Sequence, residues 1–121
     1  MSLSQKSREK LNTCDPRLIE LIREVSTLMD IQVLCGYRGE NDQNAAFANG
    51  NSKLKFPNSK HNQLPSLAVD VAPLPLDWKN IGAFLKMVNL IKEVAAKQNI
   101  RIRCGADFEK FKDFPHVELV G

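Results

Sequence analysis

The stretch Ser59-Lys60-His61, continuing to Ala68-Val69-Asp70-Val71, is the part of the chain that decides the fold. Residues 67–72 are apolar and rich in valine apart from Asp70, so they predict a buried strand. A carboxylate in an apolar run costs several kcal/mol if it is buried without a partner. We therefore expect a metal ion or an arginine beside Asp70.

A second segment near the C-terminus, Asp113-Phe114-Pro115-His116-Val117-Glu118, complements the first. The chain has two histidines, and each segment carries one of them. If residues 115–120 form a strand, His116 and Glu118 lie on the same face of it. The two segments together therefore hold imidazoles and carboxylates that a fold can bring to one place.

Two histidines and an aspartate are a sufficient set of protein ligands for zinc in a hydrolase, which keeps its fourth position open. The candidate ligands are His61, Asp70 and His116. Asp70 comes nine residues after His61, so residues 62–66 must fold back to close such a site.

Two further carboxylates and an arginine complete the candidate site. Asp113 precedes His116 at the mouth of the last strand and is the better candidate for a general base. Glu118 lies deeper and is better placed to orient a ligand. Arg38 follows the strand at 31–35 and can bind a substrate carboxylate or a developing oxyanion. The alternative interpretation is that both histidines are structural and Arg38 is solvated.

The predicted elements alternate without regular βαβ repetition, which favours an α+β fold with a small, largely antiparallel sheet flanked by helices. Asp15 and Asp77 are predicted helix N-caps. The predicted helices cover residues 4–11, 16–29, 40–48 and 78–98, and the predicted strands cover 31–35, 67–72, 100–104 and 115–120. With 121 residues, the chain is expected to form a single domain, 1–121.

Composition excludes several classes of protein. The net charge of +3 is too small to predict nucleic-acid binding. No apolar run approaches the roughly 18–20 residues of a membrane span, and the first ten residues lack the apolar core of a signal peptide. The three cysteines form no Cys-x-x-Cys pair, and we expect Cys35 and Cys104 to be buried as small hydrophobic residues rather than to bind metal.

These motifs, in this order, resemble the zinc D-Ala-D-Ala carboxypeptidase and L-alanyl-D-glutamate endopeptidase family, and within it the phage endolysin branch. The resemblance covers most of the chain. The segment Gly36-Tyr37-Arg38 with Gln43 and Gly50 is similar to the family's segment before the first histidine. The segment Gly105-Ala106-Asp107-Phe108 is similar to the family's turn before the last strand. One departure is the spacing from His61 to Asp70, because many members place the aspartate seven residues after the histidine.

The resemblance implies the small α+β fold shared with the Hedgehog signalling domain. It implies Zn²⁺ held by His61, Asp70 and His116, with Asp113 as catalytic base and Arg38 as a substrate-stabilising residue. The residues expected to support the ligands or the substrate are Ser59, Gln43 and Glu118.

The implied reaction is hydrolysis of a peptidoglycan stem peptide at the L-Ala-D-Glu bond, by zinc-activated water with Asp113 as base. The alternatives are a D-Ala-D-Ala carboxypeptidase or dipeptidase, and a non-catalytic zinc-binding module of the same fold. We expect a monomer without nucleic-acid or membrane-inserted partners. It would be made in the host cytoplasm and would reach the cell wall after release by another protein.

Overall fold

The computed structural model describes residues 3–109 and 112–120, and residues 1, 2, 110, 111 and 121 of the predicted domain lie outside that part. Within it, none of the helices is long and apolar enough to cross a bilayer. The helices are α1 (Gln5–Leu11), α2 (Pro16–Leu28), α3 (Glu40–Ala48) and α4 (Ile81–Lys97). The strands are β1 (Ile31–Cys35), β2 (Ala68–Pro73), β3 (Ile102–Cys104) and β4 (His116–Leu119). Two short 3-10 helices cover Lys60–Asn62 and Gly105–Asp107.

The four strands form one sheet in the order β1-β2-β4-β3, and every neighbouring pair is antiparallel. This confirms the predicted α+β class with an antiparallel sheet. The strand that was predicted around Asp70 is β2, and it pairs with β1 on one side and β4 on the other. Asp70 therefore lies on a central strand of the sheet, whereas His61 lies in the 3-10 helix before it.

The two faces of the sheet have different roles, because side chains alternate along a strand. Val69 and Val71 point to the face that α4 covers, with α2 packed against α4, and both are fully buried. Asp70 points to the opposite face, where its Cα partner across the strand pair is His116. The helices contribute a common set of buried apolar side chains to the core: Leu18, Leu21, Ile22, Val25, Phe84, Met87, Val88 and Ile91.

The N-termini of α2 and α4 can be compared with the predicted caps, Asp15 and Asp77. Asp15 caps α2 as predicted, and its carboxylate accepts from Arg17 N at 2.9 Å. The predicted cap at Asp77 is wrong, because α4 begins at Ile81 and its cap is Asn80, whose Oδ1 accepts from Ala83 N at 3.1 Å. Asp77 instead closes the turn before the helix, where its carbonyl accepts from Asn80 N at 3.0 Å. Asparagine and aspartate cap equally well, so the sequence offered two equivalent starts.

A bulge interrupts the pairing of β1 with β2. Val33 lies opposite Val71, but the next pair is Cys35 with Asp70, so that two residues of β1 face one of β2. A bulge of this kind shifts the alternation of side chains by one residue. As a result, Cys35 faces the same side of the sheet as Asp70.

Candidate active site and metal centre

A capped 3-10 turn holds His61. The Oγ of Ser59 accepts from His61 N at 3.2 Å, and the side chain of Asn62 accepts from Ser59 N at 3.0 Å, which closes a capping box. The chain then folds back, and Leu67 N donates to Lys60 O at 3.1 Å before β2 begins. Ser59 therefore fixes the turn that carries His61, and the longer spacing between His61 and Asp70 is taken up by residues 62–66.

The two histidine rings converge on one oxygen of Asp70. His61 Nε2 and His116 Nδ1 each lie 3.2 Å from Asp70 Oδ1, and the ring centroids are 5.2 Å apart. The outer nitrogens face acceptors, since His61 Nδ1 lies 2.8 Å from Gly36 O and His116 Nε2 lies 2.8 Å from Glu118 Oε1. In metal sites, the outer N–H of a histidine donates to such an acceptor and so aims the inner nitrogen at the ion.

This donor set fits a divalent cation. Each imidazole has an acceptor near both of its nitrogens. Without a cation, the nitrogen that faces Asp70, Nε2 of His61 or Nδ1 of His116, must therefore carry a proton. A metal ion can replace those protons and be bound by two imidazoles and one carboxylate, which is the ligand type that zinc takes in hydrolases. The residues predicted to bind zinc, His61, Asp70 and His116, thus lie together around Asp70 Oδ1. Donor atoms within 4.8 Å of one another form two groups that share Asp70, one with Cys35 and His61 and the other with Asp113 and His116.

Electrostatics at the site follow from this geometry. Burial lowers the pKa of His61, but hydrogen bonds with Asp70 and Cys35 outweigh it and raise the pKa to about 10. The pKa of His116 is likewise raised to about 9, against the effect of burial, by Asp70 and Glu118. Burial works against ionisation of Asp70, but its contacts with the two rings hold its pKa well below the usual range. Asp70 is therefore ionised and ready to bind a cation.

Asp113 lies at the edge of the same cluster. Its Oδ2 is 4.0 Å from His116 Nδ1, and its side chain is 32% exposed. Burial raises the pKa of Asp113, and the charge of Asp70 raises it further. The backbone holds Asp113 in place, because its N–H donates to Gly105 O at 2.9 Å and a Cβ at position 105 would collide with its carbonyl. A half-buried carboxylate with a raised pKa is suited to accept and return a proton.

Arg38 reaches the site from the loop after β1. Its Nη2 lies 3.4 Å from Asp70 Oδ2, and its Nη1 donates to Gln43 Oε1 at 3.1 Å. Its backbone N–H donates to His61 O at 2.8 Å. Gln43 is fully buried and also binds the loop that precedes the 3-10 turn, through Leu54 O at 2.6 Å. Arg38 is therefore the arginine that was expected beside Asp70, and Gln43 supports it.

Glu118 connects His116 to Lys60, which was not among the predicted site residues. Its second oxygen lies 3.3 Å from Lys60 Nζ, and its hydrogen bond with His116 lowers the pKa of Glu118. Lys60 also donates to the backbone carbonyl of Leu119. Lys60 precedes His61 directly, and this adjacency was the only signal in the sequence that pointed to it.

Cys35 corrects an expectation. It was expected to be buried as a small hydrophobic residue, whereas it is half-buried, and its Sγ and ligand atoms of His61 and Asp70 lie within 4.8 Å of one another. Burial raises the pKa of the Cys35 thiol, but the contact with His61 and the charge of Arg38 outweigh it and lower the pKa. The bulge in β1 causes this placement of Cys35. No residue type in the sequence predicts that bulge. Cys104 is buried in the core as expected.

The cluster lies in an open cleft of about 1170 Å³. Aromatic side chains form part of its wall, and the Phe108 ring lies 5.8 Å from the His116 ring, centroid to centroid. Basic side chains, including Arg103, whose guanidinium lies 4.5 Å from the Phe108 centroid, line another part. Both histidines, Asp70 and Asp113 line this cleft.

Comparison with known proteins identifies the family. In fold, the chain is similar to the crystal structure of Serratia marcescens L-Ala D-Glu endopeptidase ChiX, with a TM-score of 0.84 and 25% identity over 99% of this chain and 90% of that one. The family profile described as phage L-alanyl-D-glutamate peptidase matches residues 1–120. Both findings agree with the resemblance drawn from the motifs. The chain belongs to the phage L-alanyl-D-glutamate peptidase family.

Proposed function

We propose that the protein is a zinc-dependent endopeptidase that hydrolyses the L-Ala-D-Glu bond of peptidoglycan stem peptides. The observation that carries the proposal is the convergence of His61 Nε2 and His116 Nδ1 on Asp70 Oδ1, with Asp113 Oδ2 4.0 Å from His116 Nδ1. The family match and the similarity to ChiX support the choice of bond.

The metal ligands, Asp113 and Arg38 have separate roles in the proposed reaction. Zinc, when bound by His61, Asp70 and His116, supplies the Lewis acidity that lowers the pKa of water and polarises a carbonyl. Asp113 takes the proton from the attacking water at its carboxylate and delivers it to the amine nitrogen of D-Glu as the C–N bond breaks. Arg38 donates to the carbonyl oxygen as negative charge develops there.

Arg38 is held for this role from two directions. Its guanidinium is fixed by Asp70 and Gln43, and its backbone by His61 O. A donor that is already oriented needs no reorganisation when the charge appears, which is the source of its effect on rate. Glu118 acts indirectly, because its hydrogen bond with His116 Nε2 sets the tautomer and direction of the ring.

The test is Asp113→Asn with purified muropeptides, read by mass spectrometry. We expect release of the stem peptide after L-Ala by the parent protein, and a rate lower by about 10²–10⁴-fold in the variant with zinc content unchanged. Asp107→Asn is the matched control, because Asp107 lines the same cleft but is exposed and paired with Lys92 at 2.8 Å.

The other possible results of this assay would lead to different conclusions. Loss of terminal D-Ala alone would identify a carboxypeptidase and contradict the proposed bond. Stoichiometric zinc without cleavage of any muropeptide would indicate a binding module. Full activity of Asp113→Asn would remove Asp113 as the base. Delivery to the wall through a membrane lesion made by another protein stays a prediction.

A further inference from the structure

The bulge in β1 brings a sulfur atom to the metal site. In regular pairing, Leu34 would lie opposite Asp70, and Cys35 would share the core-facing side with Val33. The observed partner of Asp70 is Cys35 instead. Side chains of directly paired residues lie on the same face of a sheet, so the thiol points to the side that carries Asp70 and His116.

The thiol lies close to two of the proposed zinc ligands. Cys35 Sγ and ligand atoms of His61 and Asp70 all lie within 4.8 Å of one another, a separation that one bound ion can span. Cys35 Sγ and His61 Nδ1 also share an acceptor, Gly36 O, at 3.5 Å and 2.8 Å. The side chain is half-buried, so an ion that enters through the cleft can reach it.

The mechanism proposed above gives Cys35 no role, and its chemistry differs from that of the other donors. Imidazole and carboxylate bind many divalent ions, whereas a thiolate selects Zn²⁺ and softer ions. Zinc commonly takes mixed sulfur and nitrogen ligands in proteins. A sulfur donor at this place therefore changes which ions the site prefers.

We propose that Cys35 is a further metal-binding residue, which supplies a thiolate to the cation held by His61 and Asp70. A bond forms between Sγ and the ion, the thiol proton is released to solvent, and no electron is transferred. The sulfur adds a donor beside the position of the attacking water, which a zinc site can accommodate by becoming five-coordinate, and the site binds thiophilic ions more tightly than a site of two histidines and one aspartate would. This inference rests on the metal site of the proposed function.

The test is the absorption spectrum of the protein titrated with Co²⁺ after removal of metal. We expect a thiolate-to-cobalt charge-transfer band in the parent protein that Cys35→Ser abolishes and Cys104→Ala retains. Cys104 is the matched control because it is buried on the opposite face of the sheet. Cd²⁺ affinity should fall in Cys35→Ser by at least the roughly 10–100-fold that loss of an outer partner costs a metal site.

A second measurement needs no variant. Iodoacetamide should alkylate Cys35 in the metal-free parent protein, and Zn²⁺ should protect it, as read by peptide mass mapping. If Co²⁺ binds with the same spectrum in the parent and in Cys35→Ser, or if Zn²⁺ leaves alkylation unchanged, the thiolate ligand is refuted while the zinc site stands. If Co²⁺ does not bind at all, the proposed zinc site fails and this inference fails with it.

Discussion

Gln43→Leu is expected to destabilise the fold strongly, because Gln43 makes four hydrogen bonds from a position with 0% exposure. Its Oε1 accepts from Arg38 Nη1 at 3.1 Å and from Asn62 Nδ2 at 3.2 Å. Its Nε2 donates to Ser52 Oγ at 2.9 Å and to Leu54 O at 2.6 Å. One side chain thus joins α3, the loop after it and the turn that carries His61.

The magnitude follows from what each partner can do afterwards. Ser52 and Leu54 lie nearer the surface and can form hydrogen bonds with water instead. Losing their hydrogen bonds to Gln43 therefore costs little free energy. Asn62 is buried and Arg38 is charged, and each buried group left without its partner costs about 1–3 kcal/mol. Leucine regains part of this through apolar burial. We expect a net loss of about 2–4 kcal/mol in the free energy of unfolding.

Urea unfolding followed by circular dichroism measures this loss, and the melting temperature should fall by on the order of 10 °C. Gln63→Leu, at an exposed position in the same loop region, should stay within about 0.5 kcal/mol of the parent. Gln43→Glu keeps the acceptor for Arg38 but turns a carboxylate toward Leu54 O, so it should also destabilise. If Gln43→Leu unfolds at the same urea concentration as Gln63→Leu, the hydrogen bonds of Gln43 do not stabilise the fold as argued.

Two further predictions concern the metal site. Glu118→Gln removes the charged acceptor of His116 Nε2–H and should weaken zinc binding by about 10–100-fold in a chelator competition. Glu109→Gln, at a position that also lines the cleft, should leave the zinc affinity unchanged. Equal affinities of the two variants would contradict the role of Glu118. Zinc binding at pH 7 should release about two protons from the histidines, because the pKa values of His61 and His116 are raised to about 10 and about 9 and both rings are protonated before the ion binds. A third proton should be released where the Cys35 thiol also binds the ion. Zinc affinity should therefore rise with pH up to that range, and calorimetry in two buffers of different ionisation enthalpy would refute this by finding no released protons.

The sequence predicted which residues would lie near Asp70 more directly than it predicted the details of the scaffold. The apolar run at residues 67–72 predicted the strand around Asp70 and a partner for its carboxylate, and the alternation of side chains in a strand put His116 and Glu118 on one face. These are local patterns with a fixed period, so a single strand is enough to read them. The cap of α4 was wrong because Asp77 and Asn80 offer the same local chemistry, and packing of the helix chose between them.

Other features depend on contacts between distant residues and have no local signature. The bulge that turns Cys35 toward Asp70 exists only because β1 pairs with β2. The hydrogen bonds of Gln43 to Ser52 and Leu54 depend on the path of the loop after α3, which no periodic pattern in the sequence predicts. The role of Lys60 likewise requires β4 to bring Glu118 within 3.3 Å.

The two-sided sheet has a consequence for how this protein can evolve. In β4, His116 and Glu118 line the cleft while Val117 and Leu119 fill the core, and in β2 Asp70 lies between the buried Val69 and Val71. Selection for folding and selection for chemistry therefore act on interleaved positions of the same few residues. A lineage can revise its chemistry at Asp70, His116 or Glu118 while the hydrophobic neighbours stay unchanged.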